Sequence, residues 1–249
     1  MSSQIALLLK KEAKARDSLD ELSHERPDPL MIAKRHNDEY ISLVCALFAY
    51  GNAKLIVKFL SSIDFSFLQN SGKIENNHYY RFQTKQDIRE FFKTMSLLKN
   101  GVSIEKKFCE GYLKNHNILE GLSSIISYMY DINPYRSRGY QFLIGKIPTS
   151  KTNSPYKRWN MYLRWMVRND NLDMGLWSKV EKKDLLVPLD THTFKLGQKF
   201  GLIKRKSYDF KAVLELTKSF RQIDPDDPVR FDFALYRIGQ EQRTLLMKD

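Results

Sequence analysis

Apolar residues in this chain recur at helical spacing, and no strong run of alternating apolar and polar residues points to a half-buried strand. That period places the chain in the all-α class. Ile5, Leu8, Leu9 and Ala13 suit one face of an opening helix, which Pro27 and Pro29 then interrupt. Tyr40, Leu43, Val44, Leu47 and Phe48 mark a second helix, with Gly51 as its candidate stop. Leu55, Val57, Phe59, Leu60 and Ile63 continue into a third, and residues 69–83 read as a polar loop. Thr84 with Asp87 resembles a capping box, Asp replacing the usual Glu or Gln, that opens a helix over Ile88–Leu98. Ser103 is the candidate cap of the next helix. Further helical patterns cover 117–130, 155–169, 190–201, 209–222 and 228–239. There is no internal repeat and no long linker. A chain of 249 residues, 42% of them hydrophobic, can bury a substantial core as one domain or as two lobes.

The formal charge of +12 favours a polyanionic partner. Its distribution says more than its total. Residues 132–169 contain Arg136, Arg138, Lys146, Lys151, Lys157, Arg158, Arg164 and Arg168 and no acid. Residues 191–208 contain Lys195, Lys199, Lys204, Arg205 and Lys206, again with no acid. Such segments are either solvated helix faces or a phosphate-binding surface whose affinity falls as salt rises. Cys45 and Cys109 are the only cysteines, which argues against a disulfide framework and fits a cytoplasmic setting. Two thiolates also cannot hold a four-cysteine iron–sulfur cluster. No apolar run approaches membrane-spanning length, and the charged-then-apolar order of a secretory signal is not expected at the N-terminus.

Chemistry concentrates in Val187-Pro188-Leu189-Asp190-Thr191-His192-Thr193-Phe194. Asp190 stands where it can cap the helix that follows. Lys157, thirty-three residues upstream, opens another helix among positive and aromatic residues. A lysine amine is inert while protonated, but desolvation or neighbouring cations such as Arg158 can free its lone pair. A free amine can attack an electrophilic carbon, and an ionised carboxylate can stabilise positive charge that develops beside it. The plainer alternatives are a helix cap at Asp190 and a surface or phosphate-binding lysine at 157. His192 has no close metal-ligating partner among the five histidines, so no metal site is expected.

Near the C-terminus, Asp227 reads as an N-cap and Pro228 as the first helical residue. Val229, Asp232, Phe233 and Tyr236 then share one face. A carboxylate inside an apolar stripe is costly unless something meets it, either a protein partner or a ligand edge.

The Val-Pro-Leu-Asp-Thr-His segment resembles the catalytic aspartate setting of the helix-hairpin-helix DNA glycosylase superfamily. The runs Ser154–Arg168 and Asp224–Leu235, with the Asp190 segment, are similar to a bacterial family catalogued mainly as of unknown function. The long spacing from Lys157 to Asp190 resembles the archaeal 8-oxoguanine glycosylase branch. The likeness is specific from about residue 130 to 240 and looser from 28 to 60. It implies a single glycosylase-like unit over 1–249 in two helical lobes with a DNA cleft between them. These are a helical lobe over about 25–130, a modified hairpin and catalytic lobe over 131–225, and a C-terminal helix over 226–249 that returns to the base pocket.

The resemblance also implies an activity: excision of 8-oxoguanine from double-stranded DNA, followed by strand nicking at the abasic site. Lys157 would be the nucleophile and Asp190 the carboxylate, with no cofactor, acting as a monomer in the bacterial cytoplasm at the nucleoid. Asp232 and Tyr236 match a polar and an aromatic group that line the base pocket, and Met161 a residue packing on the opposite base face. His192 matches a phosphate contact. Tyr50 and Asn52 match, more weakly, the turn that fills the hole left by a flipped base, although Gly51-Asn52 also reads as an ordinary helix stop. One departure stands out. The glycines of the usual hairpin are missing from Ile147–Tyr156, so Lys151 or Ser154 would take their phosphate role. Arg158, Lys204, Arg205 and Lys206 complete the expected DNA-binding set. The alternatives are a monofunctional glycosylase for another base and a noncatalytic helical DNA-binding protein.

Overall fold

The computed structural model describes residues 3–70, 74 and 78–246. Among these, twelve α-helices form and no strand, only isolated bridges at Tyr80–Gln83 and Asn169–Met174. The chain is therefore all-α, as its period implies. No helix among the described residues is long and apolar enough to cross a membrane. Part of the polar segment 69–83 lies outside the described residues.

Two compact units divide the chain. The first joins three stretches, Met1–Glu21, Thr152–Gly175 and Glu181–Asp249. It contains α1 (Ser3–Ala15), α9 (Lys157–Val167), α10 (Thr191–Lys199), α11 (Phe210–Arg221) and α12 (Asp232–Leu246). α12 packs against both α10 and α1. Its far side is tied to the N-terminal stretch by charge. Arg16 donates to both carboxylate oxygens of Glu241 at 3.0 and 2.8 Å, and Arg237 donates to the Glu21 carbonyl at 2.6 Å.

The second unit is Leu22–Lys151 with Leu176–Val180. It contains α2 (Leu30–His36), α3 (Glu39–Leu47), α4 (Ala53–Ser61), α5 (Lys85–Gly101), α6 (Ile104–Tyr112), α7 (Ile118–Ile132) and α8 (Arg138–Ile144). Residues 131–151 thus group with α2–α7 and not with α9 and α10. α6 and α7 make the most extensive helix pair. Gly111 permits it, since a Cβ there would stand 2.1 Å from the Glu120 carbonyl oxygen. Phe48 anchors the remaining core, with its ring against Phe59, Tyr80, Phe91 and Phe92. The short stretch 176–180 is held to this unit by Trp177, whose indole N–H donates to Glu39 at 2.9 Å.

Local chemistry explains most boundaries. Thr84 and Asp87 form the reciprocal capping box that opens α5, and Ser103 caps α6. Two expectations need correction. Asn52 does not stop a helix; its side chain accepts the Lys54 and Leu55 N–H groups and starts α4. The buried face of α4 is Ile56 and Leu60, with Leu55 exposed, because it is these two that turn toward the core.

Candidate active site

The backbone that delivers Asp190 is pinned before the helix begins. Val187 and Leu189 are fully buried. The Val187 N–H donates to the Thr217 hydroxyl at 3.1 Å, and the Leu189 N–H turns back to the Val187 carbonyl at 2.8 Å. The Tyr208 hydroxyl then donates to the Leu189 carbonyl at 2.8 Å. Asp190 itself is extended and caps α10: one carboxylate oxygen accepts the His192 and Thr193 N–H groups at 2.8 and 2.7 Å. The other oxygen lies 3.5 Å from the Lys157 amine. Cap and lysine partner, alternatives in the sequence, are both present on one carboxylate. Burial alone would raise the Asp190 carboxyl, but the Lys157 charge and the Thr193 amide outweigh it and hold it below the ordinary carboxylate value.

Lys157 is the first residue of α9, two positions later than the sequence pattern suggests, and its side chain is 34% exposed. The residue before it, Tyr156, is buried and left-handed at φ 46°. A non-glycine residue there costs on the order of 1–3 kcal/mol and persists only where its surroundings over-determine it. Tyr156 offers α9 no side-chain cap, and its N–H reaches the Ser154 hydroxyl only at 3.4 Å. The stretch 145–156, where a glycine hairpin would stand, is irregular apart from a turn at Ser150–Lys151.

From Lys157, Met161 and Arg164 follow at one-turn spacings on α9, and Arg168 is the extended residue that caps its C-terminus. Arg164, 4% exposed, donates to Asp232 at 2.6 Å and to Asp173 at 3.2 Å. Arg168 grips Asp227 with its Nε at 2.9 and 3.1 Å, pairs with Asp170 at 2.8 Å and also bonds Asp173. These two arginines are consumed inside the first unit and do not belong to a phosphate-binding face. The same network corrects the reading of Asp227. Its carboxylate meets Arg168 and caps nothing. Asp224 supplies the local bonds instead, accepting the Asp226 and Asp227 N–H groups at 3.2 and 3.1 Å. Pro228 opens a 3-10 turn, and α12 starts only at Asp232.

Asp232, 6% exposed, is therefore met by a protein cation. Burial pushes its carboxyl up to about 6; Arg164 opposes that and the charge of Asp190 adds to it. Lys157 also acts on it electrostatically, so Lys157, Asp190, Asp232 and Arg164 form one charge cluster within the first unit. Tyr236, one turn after Asp232, is half-buried and its hydroxyl accepts a bond from Gln240 at 2.6 Å. Met161 is likewise half-buried.

The other expected contacts divide between the units. Ser154, Arg158, His192, Lys204, Arg205 and Lys206 lie in the first, and Tyr50, Asn52 and Lys151 in the second. Ser154, His192, Lys204 and Lys206 are exposed. Arg205 is engaged, donating to both oxygens of Asp209 at 2.6 and 2.5 Å. Glu215 accepts the Lys204 and Arg205 N–H groups at 3.0 Å each. The segment without acids in the sequence thus has Asp209 and Glu215 against its basic end in space. The member of the Lys157 charge cluster that the sequence did not single out is Arg164. Its signal was there: seven residues, two helical turns, separate it from Lys157 on the same face.

A family model described as protein of unknown function (DUF2400) matches residues 28–241, and the chain belongs to that family. No curated protein and no solved structure matches it.

Proposed function

We propose that this chain is a DNA glycosylase with associated abasic-site lyase activity, acting on duplex DNA that carries 8-oxoguanine. The observation that carries the reading is the Lys157–Asp190 contact at 3.5 Å, made by a carboxylate whose other oxygen is locked into a helix cap. The net charge of +12 and the exposed Lys204 and Lys206 are consistent with a polyanionic partner.

The chemistry follows from those two groups. The target nucleotide must leave the stack, because the sugar–base bond is inaccessible within it. The Lys157 ammonium gives its proton to water, while Asp190, held below the ordinary carboxylate value, stays ionised. The freed lone pair attacks C1′ as the glycosidic bond breaks, and its electrons leave with the base, which takes up a proton. Asp190 stabilises the cationic character of the sugar during this step. The sugar ring opens to a Schiff base on Lys157. Loss of a C2′ proton then expels the 3′ phosphate by β-elimination, and water releases the enzyme. Asp232, held by Arg164 and with its carboxyl near 6, would offer the extruded base a polar edge.

A monofunctional glycosylase, with water attacking and Lys157 only binding, is favoured by one observation: the amine is engaged in an ion pair and a third open to solvent. Borohydride separates the readings. Wild-type protein mixed with an 8-oxoguanine duplex should be trapped covalently, and Lys157→Gln should lose the trapped species, because only an amine forms the reducible imine. Base release without trapping in wild type would select the monofunctional enzyme. Neither base release nor trapping, with DNA bound, would select a noncatalytic binder.

A further inference from the structure

The second unit carries a surface that the lysine chemistry does not use. Phe82 and Phe142 are 50% and 40% exposed, an unusual state for two neighbouring phenylalanines. Their rings meet edge to face at 4.9 Å, and Phe142 also meets Tyr50 at 4.8 Å. Two exposed arginines flank them. The Arg81 guanidinium lies 5.6 Å from the Tyr50 ring centre. Arg138 stands one turn before Phe142 on α8 and lines, with Phe82 and Tyr135, a concavity of about 620 Å³. Among the described residues of that lining, Asp87 is the one carboxylate. It is turned inward, 3% exposed, and takes bonds from the Thr84 N–H and the Tyr135 and Ser137 hydroxyls. The open side is aromatic and cationic.

The rings are held where they are. The Tyr80 hydroxyl bonds to the Phe48 and Tyr50 carbonyls at 3.0 and 2.8 Å, fastening the loop to the core. The Tyr50 hydroxyl bonds the Gln83 side chain. Arg81 is left-handed at φ 57°, a strained state for a non-glycine residue that tends to mark ligand clamps. Its side chain lies so close to Gly51, itself at φ 108°, that a Cβ there would stand 1.9 Å from the guanidinium. The positive φ favours glycine at residue 51, and its lack of a Cβ leaves room for the Arg81 guanidinium.

We propose that this surface binds the unpaired nucleotides of a single strand, with bases stacked on Phe82 and Phe142 and phosphates against Arg81 and Arg138. A duplex shows only base edges and phosphates, so an aromatic platform has nothing to stack on there. An unpaired base offers its ring face, and any base will do. Arginines on both flanks, on a chain of net charge +12, match the phosphates of such a strand and disfavour an apolar peptide. Deoxyribose and ribose strands share this chemistry.

The test is fluorescence anisotropy of the full chain with labelled oligothymidylate and oligouridylate. Phe82→Ala and Phe142→Ala should each weaken binding of at least one strand roughly five- to hundredfold, the range of base–aromatic stacking, with an unchanged melting temperature. Phe142→Trp should restore it. Arg138→Gln should reduce the salt slope by about one contact. A strand containing 5-iododeoxyuridine should photocrosslink to Phe82 or Phe142 in the unmodified protein, which needs no variant to fold. Wild-type affinity in both alanine variants, or crosslinks that map only elsewhere, would overturn the proposal. The strand assay reads no Lys157 chemistry, so its failure leaves the trapping result standing, and the reverse also holds.

Discussion

Asp190 gives each of its oxygens a different partner, backbone amides on one side and the Lys157 amine on the other. Substitution can therefore separate its charge from its cap. Asp190→Asn keeps a good capping oxygen and removes the charge, so its melting temperature should stay near wild type while single-turnover base release falls about 100- to 1000-fold. Asp190→Ala should lose base release equally and also about 1 kcal/mol of stability, since α10 then opens uncapped. An Asp190→Asn protein that excises at the wild-type rate would reduce Asp190 to a cap. The cap was legible in the sequence because N-cap chemistry is local: a short acceptor ahead of an apolar helical pattern. The lysine contact depends on the start of α9 meeting the cap of α10, and only the family resemblance pointed to it. Asp232 was half legible. Its cost in an apolar stripe implied a partner, and the partner is Arg164, sixty-eight positions away in the chain.

The helices α9 and α12 are joined by charge buried in the first unit. Arg164 meets both Asp232 and Asp173. Arg164→Met should cost roughly 3–5 kcal/mol in urea unfolding, because it leaves two buried carboxylates without that partner. Arg164→Lys should recover only part, since an ammonium cannot fork between them as a guanidinium does. A loss under about 1 kcal/mol would mean that other partners, such as Arg168 at Asp173, or water already serve these groups. This level of structure was unevenly legible. Caps at Thr84, Ser103 and Asp190 announced their helices. α2 and α8 did not announce themselves, because seven residues make about two turns and a period cannot show over so short a span. Asp227 was misread because Arg168, fifty-nine residues away, claims a carboxylate that otherwise suits a cap.

For the molecule as a whole, the total charge was legible and its placement was not. Arg164, Arg168 and Arg205 count toward +12 but face aspartates. Lys204 and Lys206 remain exposed, so replacing this pair while keeping Arg205 should weaken duplex binding for all sequences alike. It should also reduce the slope of log affinity against log salt by about 2. An unchanged slope would remove that loop from the DNA surface. The division into units has a further consequence, for synthesis. The second unit is nearly one continuous stretch, whereas the first is closed by its beginning and its end. As the chain emerges, α1 precedes α12 and waits for it before that packing can form. Arg164 meanwhile precedes Asp232 by sixty-eight residues. Domains tend to fold as units during synthesis, so the second can be finished while the first is still in pieces. A nascent chain halted before α12 would carry Lys157 and Asp190 without the helix that supplies Asp232, so an interrupted copy would hold only part of the charge cluster.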